Sequence, residues 1–324
     1  MPTITREDDT AHTAERTPSV ERCLFPIDSP PVNQDLKRRR LELPERGIEV
    51  NVLDWGGEGP LALLIHANGF CAGVWDPVAR GLSERYHVVG FDARGHGESS
   101  KPREPADYVW EVFVADLIAV AERITREHGV ARVELAVGHS FGGTATLGAA
   151  ARRPDLFARI ALLDPVLVAP PEIAAKYKRP NHGKRMGKIA RKRRHVWPSR
   201  EAVREAWTKR EPFQSWDPRA LDAYLSEGLG DRADGQVELK CPGEIEAMIY
   251  DSDERLDAFA AAEKLEAPAL LVWAAQGNFP LPWYRALRDT ASRMELVEMD
   301  AGHLLPMVAP DPVTQLLLRF GAQS

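Results

Sequence analysis

Short apolar runs alternating with helical stretches constrain this chain more than any other feature. Leu61 to Ile65, Tyr86 to Phe91, Val133 to Val137 and Ile160 to Leu163 are brief and apolar, and Ala269 to Trp273 and Met294 to Met299 continue the series. Runs of this kind suit strands buried on both faces of a parallel sheet. Between them, Asp107 to His128 carries Val109, Phe113, Val114, Leu117, Val120 and Ile124 at helical spacing and stops at Gly129. Thr144 to Arg153 is an alanine-rich helix halted before Pro154. The pattern predicts an α/β protein with a mostly parallel central sheet and helices on both faces. Ahead of it, Lys37 to Leu43, Gly47 and Ile48 to Trp55 read as an antiparallel hairpin.

The alternation fails in two places. Residues 1–35 mix charges, threonines and prolines with no period, and are expected to form a flexible tail. Residues 166–255 hold helical pieces with Pro and Trp and no convincing buried strand, so a helical cap insertion is expected there, dividing a core of 36–165 and 256–324. The chain's 324 residues accommodate such a domain at the usual 100 to 200 or so per domain plus an insertion. No internal repeat is visible. No run approaches the roughly 18 apolar residues that span a bilayer, and acidic Glu7, Asp8 and Asp9 do not suit a secretory signal. Cys23, Cys71 and Cys241 are odd in number and widely spaced, as free thiols are, so a cytoplasmic location is expected.

Chemistry concentrates at Gly138-His139-Ser140-Phe141-Gly142, between an apolar run and a helix. A serine hydroxyl is a weak nucleophile, and hydrolytic enzymes present it on a strained strand-to-helix turn. Small residues two places either side prevent collision there, and Gly138 and Gly142 are those residues around Ser140.

With this elbow, His66-Ala67-Asn68-Gly69-Phe70, Phe91-Asp92-Ala93-Arg94-Gly95-His96-Gly97 and Ala301-Gly302-His303 follow one another in an order that resembles the α/β-hydrolase superfamily. The resemblance covers about 37–165 and 256–320 and leaves the insertion in the place of that family's cap. It implies the α/β-hydrolase fold, with His303 as the base for Ser140. The acid departs from the commonest pattern. Ala274 to Pro280, where the family usually carries an aspartate, has no carboxylate. Asp164 occupies the alternative acid position used by some members and is the favoured acid over a plain loop cap before Pro165, with Asn278 as a weaker neutral orienter. The resemblance also implies an oxyanion hole from the backbone N–H groups of Phe141 and Asn68, with Gly69 as the other candidate for the second donor. His139, His66 and His96 are less suited to act as the base. For His66 and His96 a structural role is expected.

Net charge is −6, from 42 basic and 48 acidic residues, which gives no reason to expect a nucleic-acid partner. The average hides a divided insertion. From Pro170 to Arg200 there are eleven Lys or Arg and one acid, and from Glu201 to Arg255 seven basic and fourteen acidic residues. Lys184, Lys188, Arg191 and Lys192 could steer an anionic substrate, but a solvated face paired with the acidic half is the plainer reading. Trp197, Trp207, Phe213, Trp216 and Tyr224 could line an acyl pocket or form the insertion's own core.

These residues suggest a serine hydrolase acting on a small-molecule carboxylic ester or related acyl compound, with no cofactor and no metal required. Two alternatives stand beside it. One is C–C bond hydrolysis or cofactor-free dioxygenase-like chemistry on the same fold, and the other is a non-catalytic receptor on a hydrolase scaffold.

Overall fold

A computed structural model describes residues 36–174 and 182–323. The expected tail and part of the basic run, including Lys176, Lys178 and Arg179, lie outside the described residues.

The hairpin forms as expected, with β1 (Lys37–Leu43) antiparallel to β2 (Ile48–Gly56) and Gly47 at φ 63° in the turn. Next come β3 (Leu61–Ile65), α1 (Asp76–Leu82), β4 (His87–Phe91), α2 (Trp110–Glu127), β5 (Leu135–His139), α3 (Phe141–Arg152) and β6 (Ile160–Leu163). The insertion contributes α4 (Pro171–Ala174), α5 (His182–Arg191), β7 (Val196–Trp197), α6 (Arg200–Trp207), α7 (Pro218–Glu227), β8 (Leu229–Asp231), β9 (Val237–Leu239) and α8 (Gly243–Asp251). The chain closes with α9 (Ala258–Glu263), β10 (Ala269–Gln276), α10 (Leu281–Thr290), β11 (Met294–Gly302), α11 (Leu305–Val308) and α12 (Pro310–Gly321).

Eight strands form one sheet in the order β1-β2-β4-β3-β5-β6-β10-β11. Only β2 runs against the rest, antiparallel to both β1 and β4; from β4 onward the pairs are parallel. Alternate residues of each strand enter opposite cores, as a period of two requires. Leu61, Leu63 and Ile65 of β3 pack with α2, α3, α9 and α10, while Ala62 and Leu64 pack with α1, α11 and α12. This is the mostly parallel sheet with helices on both faces that the alternation implies.

Boundaries differ from expectation for local reasons. Pro105–Tyr108 form a separate 3-10 turn, with Glu104 and Asp107 capping each other's backbone, so α2 starts at Trp110 rather than Asp107. α3 begins at Phe141, immediately after Ser140, and takes in Gly142 and Gly143. Val133 makes only an isolated bridge to Phe157, which delays β5 to Leu135.

The insertion is not purely helical, which corrects the expectation of no strand there. β7, β9 and β8 form a small antiparallel sheet whose Leu229, Val237 and Leu239 are buried. Strands of two or three residues are too short to display alternation in sequence. No described helix is long and apolar enough to cross a membrane.

Candidate active site

Parallel strands deliver their following loops to one edge of the sheet, and β5, β6 and β11 deliver Ser140, Asp164 and His303. Ser140 sits at φ 56°, ψ −120°, and its backbone N–H is held by the Leu163 carbonyl at 2.9 Å. Ser140 and Asp164 (φ 42°) are the two non-glycine residues with positive φ among the described residues. Such backbone strain costs about 1–3 kcal/mol each and persists where surroundings over-determine it. The flanking glycines are required by close approach. A Cβ on Gly138 would lie 2.4 Å from the Gly142 carbonyl oxygen, and one on Gly142 would lie 2.5 Å from that of His66.

His303 Nε2 is 2.8 Å from Ser140 Oγ, and His303 Nδ1 is 2.6 Å from Asp164 Oδ2. The Asp164 side chain is fully buried. Its other oxygen accepts from the Ala274 N–H at 3.1 Å and the Tyr284 hydroxyl at 2.8 Å. Burial, then the neighbouring Asp164 carboxylate, pushes the Tyr284 phenol well above its ordinary pKa, so the hydroxyl keeps its proton. The loop that lacks the usual carboxylate closes over Asp164, and a Cβ on Gly277 would come within 2.8 Å of Oδ2. Asn278 lines the cavities beside Ser140, and the partner of His303 Nδ1 is Asp164.

The other histidines hold loops. His66 Nε2 accepts from the Ala93 N–H at 3.0 Å while Nδ1 donates to the Ala67 carbonyl at 2.8 Å, joining the loops after β3 and β4. His96 Nε2 accepts from the Gly69 N–H at 3.0 Å. Gly69 is thereby engaged, which leaves Asn68 as the remaining candidate for the second donor. The backbone N–H groups of Asn68 and Phe141 meet no backbone acceptor among the described residues. His139 Nε2 lies 2.8 Å from the backbone carbonyl of His303, which holds the loop carrying His303. Burial, reinforced by His303, pushes His139 down to about 3, so it stays neutral.

The insertion grips the loop carrying Asn68. Tyr224 of α7 donates to the Gly69 carbonyl at 3.1 Å, and Asn68 Nδ2 donates to the Glu246 carbonyl of α8 at 3.0 Å. Arg193 bridges these elements through Glu246 Oε2 at 2.6 Å and the Tyr224 hydroxyl at 3.1 Å. Gly69, at φ 83°, has no room for a Cβ against the Glu246 carboxylate, 2.7 Å away. Sequence reasoning missed Tyr284, Glu246 and Arg193 in these positions, because each acts across elements far apart in the chain.

Two cavities, of about 490 and 810 Å³, meet at Ser140, His303, Asn68 and Asn278. Trp110, Phe141, Leu167 and Trp283 wall the smaller, with Lys184 at its edge. Phe70, Trp197, Trp207 and Phe213 wall the larger, with Arg194 and Arg210. The insertion's aromatics pack with one another and line a cavity. Trp207 and Phe213 stack at 4.1 Å and also line a cavity, while buried Trp216 and Tyr224 pack behind them. The charge division is partly internal: Arg191 pairs with Glu244 and Asp251, and Arg193 with Glu246.

The alpha/beta hydrolase family model matches residues 62–316. A 2-(acetamidomethylene)succinate hydrolase of Mesorhizobium japonicum is 32% identical over 108 residues, covering 33% of this chain and 36% of that protein. A type I acyl-CoA thioesterase of Penicillium roqueforti is 27% identical over 278 residues, covering 79% of this chain and 59% of that protein. The chain therefore spans 36% and 59% of the length of these relatives. The crystal structure of E-2-(acetamidomethylene)succinate hydrolase superposes with a TM-score of 0.72 at 22% identity, over 88% of this chain and 99% of that one. The sheet order, the strained serine and a family match over most of the described residues converge on one conclusion: the chain belongs to the alpha/beta hydrolase family.

Proposed function

We propose that this hydrolase is a serine enzyme that cleaves a carboxylic ester or related acyl compound through an acyl-enzyme on Ser140. The observation that carries the reading is the unbroken chain from Asp164 to His303 to Ser140, at 2.6 and 2.8 Å. Ser140 Oγ attacks the substrate carbonyl as His303 Nε2 takes its proton, and Asp164 stabilises the imidazolium that results. The N–H groups of Phe141 and Asn68 receive the developing oxyanion. When the tetrahedral intermediate collapses, His303 returns the proton to the leaving alcohol or thiol. Water, activated by the same nitrogen, then releases the acid and restores Ser140. Side chains and backbone of this chain supply every group these steps need, so no cofactor or metal enters them.

Two chambers meeting at one serine suit a small molecule with substantial groups on both sides of the scissile bond. Lys184, Arg194 and Arg210 around them favour an anionic one. Similarity to a succinate-derivative hydrolase and to an acyl-CoA thioesterase is in keeping with that charge. Buried free thiols at Cys71 and Cys241 support a reducing, cytoplasmic setting.

A fluorophosphonate probe should label the wild type at Ser140 and leave Ser140→Ala unlabelled, and p-nitrophenyl esters of graded length should be hydrolysed. Turnover should fall by about 10³–10⁶-fold in that variant. Labelling that survives in Ser140→Ala, or oxygen uptake with no acyl-enzyme trapped by mass spectrometry, would replace this reading with another.

A further inference from the structure

At the far end of the sheet from Ser140, two apolar rows end in polar residues. Ile48, Val50 and Val52 of β2 face α2, and the next position on that face is Asp54. Val89 and Phe91 of β4 face the same way, and the position preceding them is His87. The strands are paired with Asp54 opposite Val89, which sets Asp54 diagonally beside His87. His128, the C-cap of α2, comes down onto them, its ring 4.5 Å from that of His87 and inclined at 62°.

One ligand atom from each of Asp54, His87 and His128 lies within 4.8 Å of the other two, and all three residues are half-buried. In a tetrahedral zinc site with ligands at about 2.0–2.2 Å, ligand atoms stand about 3.4 Å apart. His87 Nε2 and Asp54 Oδ1 are already 3.0 Å apart. His87 is also oriented: its Nδ1 lies 3.0 Å from the Gly57 carbonyl. A ligating histidine characteristically spends its second nitrogen on such a carbonyl. Both nitrogens of His87 thus face oxygen acceptors, whereas a neutral imidazole has one N–H to give. A protonated ring would satisfy both acceptors, and so would a cation between Nε2 and the carboxylate, which alone gives His128 a role.

We propose that Asp54, His87 and His128 bind a first-row divalent cation, with zinc as the best match. Two imidazoles and a carboxylate are the donor set such ions accept, and water completes the fourth position. The ion would fasten the C-terminal end of α2 to β2 and β4. It stands apart from the hydrolytic reading, since His87 opens β4 whereas Ser140 follows the parallel strand β5.

The test uses tag-free protein stripped with EDTA and dialysed against zinc chloride. One zinc per chain should remain, and the melting temperature should rise by on the order of a few degrees. Cobalt in place of zinc should give the intense visible bands of a four-coordinate site. His87→Ala and His128→Ala should lose the bound ion and the thermal shift, while keeping wild-type esterase turnover as evidence that they fold. Ser140→Ala should bind zinc as the wild type does. No retained ion at roughly 100 μM free zinc, or retention that persists in both histidine variants, would overturn the proposal.

Discussion

Asp164 shows how far single residues can be read. Its carboxylate at a strand end was visible, but whether it served His303 or only a turn was not, because the deciding contact joins residues 139 apart in the chain. Tyr284 was less legible still. A tyrosine in a helix carries no mark of a hydrogen bond to a group 120 residues earlier. Ser140 and His303 were legible because the elbow's glycines and the terminal Gly302-His303 are local patterns. Asp164→Asn keeps the shape but removes the anion that the proposed mechanism uses to stabilise the imidazolium, so kcat should fall by about 10⁴-fold. Near-normal turnover in that variant would remove Asp164 from the proposed mechanism. Tyr284→Phe takes away one of the donors to a buried carboxylate. A bond of that kind is worth about 1.5–3 kcal/mol, so kcat should drop roughly tenfold or more with KM held. A change in KM alone would instead place Tyr284 in substrate binding.

Among the elements, the long ones were legible and the insertion's were not. Four- to nine-residue strands show themselves by apolar runs, whereas β7, β8 and β9 are two or three residues each and are held by tertiary packing of Leu229, Val237 and Leu239. The brace on the loop carrying Asn68, the proposed oxyanion loop, comes instead from α7, α8 and the turn after α5. Tyr224, Arg193 and Glu246 come from different parts of the insertion and meet at Asn68 and Gly69. Tyr224→Phe removes the bond to the Gly69 carbonyl and the one from Arg193, and leaves the ring stack with Trp207 in place. Fluorophosphonate labelling should slow and kcat should fall about tenfold, with ester KM little changed. Unaltered labelling would mean the brace serves folding only. The elbow gives a stability counterpart. Gly142→Ala would push a methyl against two backbone carbonyls of the neighbouring strand and loop, at 2.5 and 2.6 Å. A loss of about 3 kcal/mol is expected in denaturant unfolding, and a loss below about 0.5 kcal/mol would show that the elbow can yield.

For the molecule as a whole, the pH dependence of stability should come from the interior more than from the divided surface. Arg191 and Arg193 spend their charge on Glu244, Asp251 and Glu246, whereas His66, His96 and His139 are buried as neutral rings. Burial lowers His66, lowers His96 well below its ordinary value and pushes His139 down to about 3. Each depressed value means that the unfolded chain takes up a proton near pH 6.5 that the folded chain refuses. Their stabilising contribution is therefore complete above pH 6.5 and is lost progressively as pH falls, for His139 until about pH 3. Within that window each such group steepens the loss by up to about 1.4 kcal/mol per pH unit. At the alkaline end, burial raises the Cys71 thiol and the Tyr284 phenol, so stability falls again once the unfolded chain begins to ionise there. The melting temperature should accordingly be highest between about pH 7 and 9 and drop on both sides. His139→Gln isolates one contribution, because an amide can still donate to the His303 carbonyl but cannot titrate. Its acid limb should be shallower than the wild type's by close to one proton's slope between pH 6.5 and 4.5. If the two limbs run parallel, His139 is not held neutral and its support of the His303 loop has to be explained by the charged ring.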